Sequence, residues 1–238
     1  MDETSAEAHT ALALVQFSHD WDWSGAERSV TRALELNPGY ADARYLFAHL
    51  LGHIGQLERG ILEIRKAREL DPLHPRLNAN VGRMLYWARR YDEAMEDLQA
   101  VVAADPGNMA AHINLAEVYA KTGRYDEALA ECATIHRLAP GGHADVFCPL
   151  YVDAATGRKR EARTRLAELR QDPKILLYRV SLVYAMLGDK EDALAVLERA
   201  YNERASGLQT VNIEPPFDLL RDDPRFQALL RRMNFPEN

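Results

Sequence analysis

The sequence predicts an all-α chain, a right-handed α-solenoid of about six stacked helix pairs with a short C-terminal capping helix. Three observations predict it. Pro38, Pro72, Pro106 and Pro140 are evenly spaced and close similar phrases: ALELNP, ARELDP, VVAADP and IHRLAP. Small or apolar residues recur at the same interval, in one row Ala26, Gly60, Ala94 and Ala128, in another Ala33, Ala67, Val101 and Ile135. Ala, Leu, Arg and Glu dominate, and all four favour helices. A fixed period of this length marks two-helix units, each too small to bury its own apolar side, so that neighbours must stack.

Taken in order, the repeats are expected over about 5–38, 41–72, 75–106, 109–140, 143–173 and 174–203, and a tail over 204–238. The first helix is read over 5–19, apolar at Ala8, Leu12 and Val15. His19-Asp20-Trp21-Asp22 breaks the pattern, and Ser24 is the expected cap of a helix ending near Leu36. Trp21 and Trp23 flank that turn and read as wedges between paired helices, because aromatic side chains bury large areas. The second unit pairs 41–54 with 57–70 around Gly55. It stops at Asp71-Pro72, since proline lacks the N–H and biases its predecessor away from the helical region. The third pairs 75–88 with 91–104 and the fourth 109–122 with 125–138. Gly123 suits the positive φ that ends a helix, and Asp92 and Asp126 suit helix N-termini. Gly82 and Ala116 are small where two helices must meet, and overpacking there is expected to cost about 1–3 kcal/mol.

The fifth unit is degraded. Pro173 arrives one position early for the interval that separates the other four prolines. Pro149 falls inside the expected first helix, which should start late or kink. The sixth runs over 174–187, turns at Gly188-Asp189 and continues to about Glu203. Beyond Gly207, Leu208 to Ile213 reads as extended and Pro215-Pro216 as non-helical. A short helix follows, with Asp222 as its cap, Pro224 near its start, and Phe226, Leu229, Leu230 and Met233 on its apolar face. Such a tail covers the exposed face of a terminal repeat.

Composition narrows the function. The formal charge of −7 lacks the basic balance of a nucleic-acid binder, so none is expected. No stretch approaches the roughly 20 apolar residues that span a bilayer, and the acidic start MDETSAEAHT does not read as a signal peptide. Cys132 and Cys148 lack metal-ligand spacing and are expected as reduced thiols of a cytoplasmic protein, Cys132 buried in the packing row of Ile64 and Leu98. No nucleophile elbow, phosphate loop or paired carboxylates stand out, so no enzyme activity and no cofactor are expected.

The segments DWDWSGAERSVTRALELNPGYADARY, ARELDPL, YWARRYDEAM, LVYAMLGDKEDALAVLERAY and FDLLRDDPRFQALLRRMN carry a resemblance. They are similar to the C-terminal tetratricopeptide-repeat segment of bacterial proteins in which it follows a winged-helix or a serine/threonine kinase domain. The resemblance runs from about Trp21 to Phe235, and neither of those domains is present in this sequence. It implies a protein-interaction role, with the first helix of each pair lining a concave groove.

Stepping along the chain by the repeat interval then gives the groove rows. One is Leu12, Leu46, Asn80, Asn114 and Cys148; a second is Val15, His49, Arg83, Glu117 and Tyr151; a third is His19, His53, Trp87, Lys121 and Ala155. Asn80 and Asn114 fall where such proteins grip a peptide backbone, since an amide offers both donor and acceptor; the alternative is that they bond neighbouring helix backbone or water. With Tyr45, Arg76 and Tyr86 nearby, the middle of the groove is cationic and aromatic, suited to an acidic peptide with an apolar anchor. The carboxylate clamp of chaperone-binding relatives is not expected, because Ala11 and Val15 occupy its positions. His49 and His53 are spaced as metal ligands can be, but no Glu follows His49 in the metalloprotease pattern; they and His19 read as solvated histidines and no metal is expected. The leading expectation is a non-enzymatic module binding a protein or peptide segment in the groove. The alternative is self-assembly or scaffolding within a larger bacterial regulator, and the oligomeric state stays open.

Overall fold

The computed structural model describes residues 4–169 and 176–236, and among these the chain contains no strand. Six helix pairs follow one another: α1 Ala6–Val15 with α2 Trp23–Leu36, α3 Ala41–His53 with α4 Leu57–Leu70, α5 Pro75–Trp87 with α6 Tyr91–Ala104, α7 Met109–Lys121 with α8 Tyr125–Leu138, α9 His143–Ala155 with α10 Lys159–Leu169, and α11 Leu177–Leu187 with α12 Lys190–Asn202. A last helix, α13, spans Pro224–Arg232. Pro173 and the first residues of the helix read over 174–187 lie outside the described residues.

The periodic rows are the packing seam of the second helices. Val30, Ile64, Leu98, Cys132, Leu166 and Ala200 are all buried at the repeat interval, as are Ala26, Ala94, Ala128 and Ala162. The first helix of each pair is packed by its own second helix and by the first helix of the next pair. That is why α5, α7, α9 and α11 carry long runs of buried residues. At Gly82 an added Cβ would lie 2.4 Å from Leu98 Cγ, so the close approach read from the sequence is between the two helices of one pair. Gly123 ends α7 at φ +79°, as its position required. The third pair has Arg89 at the equivalent point, at φ 63°. A side chain there is disfavoured, and its compensation lies in the contacts described below.

Several local expectations are corrected. α1 ends at Val15 and continues as a π-helical turn over Gln16–Asp20, whose extra residue pushes Trp21 to φ 54°. The cap of α2 is therefore Asp22, which accepts from Gly25 N at 2.9 Å, rather than Ser24. Pro149 does not delay α9, which starts at His143: its fixed φ is helical, and Phe147, Cys148, Leu150, Tyr151 and Val152 around it are buried. Residues 208–213 are not extended; Leu208–Thr210 is a 3₁₀ turn. Pro215 and Pro216 open another 3₁₀ stretch over Pro215–Leu220, where the first N–H groups need no partner. Asp223, rather than Asp222, caps α13 by accepting from Arg225 N at 2.9 Å.

The cysteines differ most from expectation. Cys132 on α8 and Cys148 on α9 form a disulfide, with Cα atoms 5.5 Å apart, so they are not reduced thiols. The bond ties the fourth pair to the fifth at the seam where stacking already brings their small buried side chains together.

The tail does more than cover the last pair. α13 packs Phe226, Leu229 and Leu230 into the core beside α12, while the 3₁₀ stretch rests on α11. Its end reaches the first pair: Trp23 Nε1 donates to Met233 O at 2.8 Å, and the Trp23 ring stacks on Phe235 with centroids 4.4 Å apart. Trp21 stacks on Tyr201, 5.2 Å away, under the Arg204 guanidinium. The two tryptophans are wedges, but between the first pair and the end of the chain. One hydrophobic core thus holds both α1–α2 and α9–α13.

The concave wall and its candidate site

The inner wall is built by α3, α5, α7, α9 and α11, and the tail crosses it between Asn212 and Asp218. Each crossing contact is specific. Asn212 Nδ2 donates to His53 O at 3.4 Å. Arg89 Nη1 donates to Ile213 O at 2.9 Å and its Nη2 pairs with Asp218 at 2.7 Å. Glu214, only 2% exposed, meets Arg83 at 2.9 Å. Ile213 beside it is buried among residues of α3 to α9.

Arg83 is the hub of a buried ion cluster. It pairs with Glu117 as well as Glu214, and Arg179 pairs with Glu117 at 3.0 Å and donates to the Tyr151 hydroxyl at 3.2 Å. The guanidinium of Arg83 also lies 5.5 Å from the Tyr86 ring and 5.2 Å from the Trp87 ring. Two arginines thus face two carboxylates. Burial works against the Glu117 carboxylate, but Arg83 and Arg179 outweigh it and hold its pKa below the usual range. Burial pushes Glu214 the other way, with Arg83 opposing. Burial also lifts the Tyr151 phenol to about 12.

The residues selected from the sequence fall into three groups. Tyr45, His49, His53, Arg76 and Asn80 bind one another. Arg76 lies over Tyr45 at 4.5 Å and pairs with Asp42, His49 Nε2 meets Asn80 Oδ1 at 3.0 Å, and His53 Nδ1 meets His49 O at 2.5 Å. Arg83 and Trp87 belong to the cluster around Glu214. Tyr86, Glu117, Lys121 and Tyr151 line an open hollow. Asn114 stands apart, buried, with Nδ2 donating to Ala79 O of the neighbouring α5 at 2.9 Å, which is the alternative weighed for it. Asn80 Nδ2 likewise donates within its own helix, to Arg76 O.

The histidines are not a solvated group. His53 is 1% exposed, between the rings of Phe17 and Trp87. Burial depresses it to about 4, and burial with the neighbouring His53 takes His49 to about 3. His19 lies apart on the surface against Asp20. Among the described residues no three His, Cys, Asp or Glu side chains converge as a metal set.

The hollow measures about 420 Å³. It is lined by the small residues Ala120, Ala154, Ala155 and Ala185, by Tyr86, Tyr125, Tyr151, Leu182 and Met186, and by the tail residues Pro215, Pro216 and Leu219. A second hollow of about 190 Å³ shares Glu117 and Tyr151 with it and is lined also by Phe147, Cys148 and Arg179. Sequence reasoning missed Arg179, Glu214 and the tail wall. Ala185 was within reach, since Glu117, Tyr151 and Ala185 are successive members of one periodic row. Nothing in the repeat pattern marks Glu214.

Comparison with known proteins supplies the class. Models of the tetratricopeptide repeat match residues 45–108 and 86–146. The matched stretch, residues 45–146, is similar to tetratricopeptide repeats. A small glutamine-rich TPR-containing protein 2 of Mycosarcoma maydis is 31% identical over 87 residues, which cover 37% of this chain; the match spans only a quarter of that relative's length. Among solved structures, the type IV pilus biogenesis factor PilW superposes with a TM-score of 0.62 at 18% identity, covering 94% of this chain and 98% of that one. PilF of Pseudomonas aeruginosa gives 0.59 at 21%, covering 88% and 96%. These likenesses show the fold, a TPR-like helical solenoid. No helix of the described residues is long and apolar enough to cross a membrane.

Proposed function

We propose that this chain is a non-enzymatic interaction module that holds a segment of a partner protein against its concave wall. The supporting observation is the 420 Å³ hollow lined by residues of α5, α7, α9 and α11 and by the tail. In this reading the groove residues divide their work. Tyr86, Glu117, Lys121 and Tyr151 face the partner. Tyr45, His49, His53, Arg76, Asn80, Arg83, Trp87 and Asn114 shape the wall and anchor the tail. Partner capture should then survive Asn80→Ala with Asn114→Ala better than it survives filling the hollow. Selecting binders from a displayed random-peptide library on the full chain tests this, with Ala155→Leu as the variant that narrows the hollow. Peptides that bind both proteins equally would place the interaction elsewhere.

Assembly is the second reading, as a scaffold within a larger bacterial regulator. Leu14 and Val15 on α1 are each 51% exposed, an uncovered apolar edge on the first helix of the stack. Light scattering across a concentration series decides it, and a mass that stays monomeric removes self-association. The cytoplasmic setting expected from composition conflicts with the bridged cysteines, because such bonds persist in oxidising compartments. Counting free thiols in protein taken from its native host resolves the conflict.

A further inference from the structure

We propose that the hollow takes the apolar side chain of an acidic partner segment, whose carboxylate pairs with Lys121 at the rim. This rests on the interaction-module reading and adds the chemistry of the ligand. Two independent observations carry it.

The first is charge. The carboxylates on the hollow's wall are already engaged: Glu117 by Arg83 and Arg179, Glu214 by Arg83, and Asp218 by Arg89 and Arg221. Lys121, exposed on the last turn of α7, lines the same space and has no carboxylate partner among the described residues. The uncompensated charge facing an incoming chain is therefore positive. The second observation is the tail itself. Immediately beside the hollow the wall already holds an aliphatic residue, a glutamate and prolines in succession, with Ile213 buried and Glu214 on an arginine. This surface accepts an acidic, apolar, proline-bearing segment from its own chain. The hollow adjoins that surface at Pro215 and Pro216, and its tyrosines, Leu182, Met186 and four alanines line about 420 Å³, room for one large apolar side chain.

The probes are acetylated, amidated pentapeptides built on alanine with one phenylalanine and one glutamate one to three positions away, and the same set with glutamine or lysine replacing the glutamate. Affinity for the full chain is measured by titration at low and at high salt. The glutamate set should bind roughly fivefold tighter than the glutamine set at low salt, the size expected of a partly exposed ion pair, and the gap should shrink at high salt. Lys121→Gln should erase the difference between the two sets, and Lys121→Glu should reverse it toward lysine. Lys121 is an exposed surface residue, so both variants should keep the wild-type melting temperature. Equal affinity of the three sets, a preference for lysine in the wild type, an acidic preference that persists in Lys121→Gln, or no binding of any set overturns the proposal. If library-selected peptides still occupy the hollow without acidic residues, the interaction reading stands and the ligand class proposed here falls.

Discussion

Glu214 and Arg83 are 131 residues apart in the chain and 2.9 Å apart in the fold. The pair fastens the tail to the middle of the solenoid, and Arg83 simultaneously holds Glu117. One arginine therefore answers for two buried carboxylates.

That sharing makes the two partners unequal. Arg83→Met strands Glu117 and Glu214 with only Arg179 between them. It should cost on the order of 3–5 kcal/mol, the range for breaking a buried pair by removing one member. Glu214→Gln leaves Arg83 still paired with Glu117 and should cost much less. Urea denaturation of both variants checks the order, and equal losses would mean that the cluster does not hinge on Arg83.

The buried histidines set an acid limit. His53 titrates near its ordinary 6.5 when unfolded and near 4 when folded, so between those values the unfolded chain binds more protons. Stability should be constant above pH 7, then fall as the pH drops through 6.5. By pH 5 the loss from His53 alone should be about 2 kcal/mol. Urea midpoints at pH 7 and pH 5 measure it; His53→Gln should shrink the difference, and His49, depressed in the same direction, accounts for what is left.

Reducing the Cys132–Cys148 bond should destabilise the chain by about 3 kcal/mol, the value expected for a closed loop of about 15 residues. The loop contains Pro140, Gly141 and Gly142 and the start of α9, so its unfolded form has much freedom to lose. Melting with and without dithiothreitol reads the effect, and Cys132→Ser with Cys148→Ser should match the reduced protein. A bridge that contributes nothing would leave both melting temperatures unchanged.

The repeat was legible because each unit repeats the same local physics. The helices over 57–70, 91–104 and 125–138 have the bounds read from the sequence, each opened by a turn and closed before a proline. The inner wall was legible to the same extent, since a step of one repeat carries Arg83 to Glu117 to Tyr151 and Trp87 to Lys121 along the same helix faces. What failed was whatever that step cannot map. Residues 204–236 have no counterpart in any repeat, so neither their 3₁₀ turns nor the landing of Glu214 on Arg83 could be read from spacing. His53 was misjudged for the same reason: its groove position looked open until Asn212 and Trp87 closed over it. Cys148 occupies the asparagine row, and only the stacking of α9 on α8 reveals that it faces a second sulfur.

The stacking of Trp23 on Phe235 changes how the whole array comes apart. A linear stack of repeats has two loose ends and frays inward from either one, each unit letting go in turn. Here Met233 and Phe235 lie on the first unit, so among the described residues the first and last parts of the stack hold one another. The molecule behaves as a hoop rather than a spring: it must break at an internal seam before any unit can peel away, and its melting should be correspondingly abrupt.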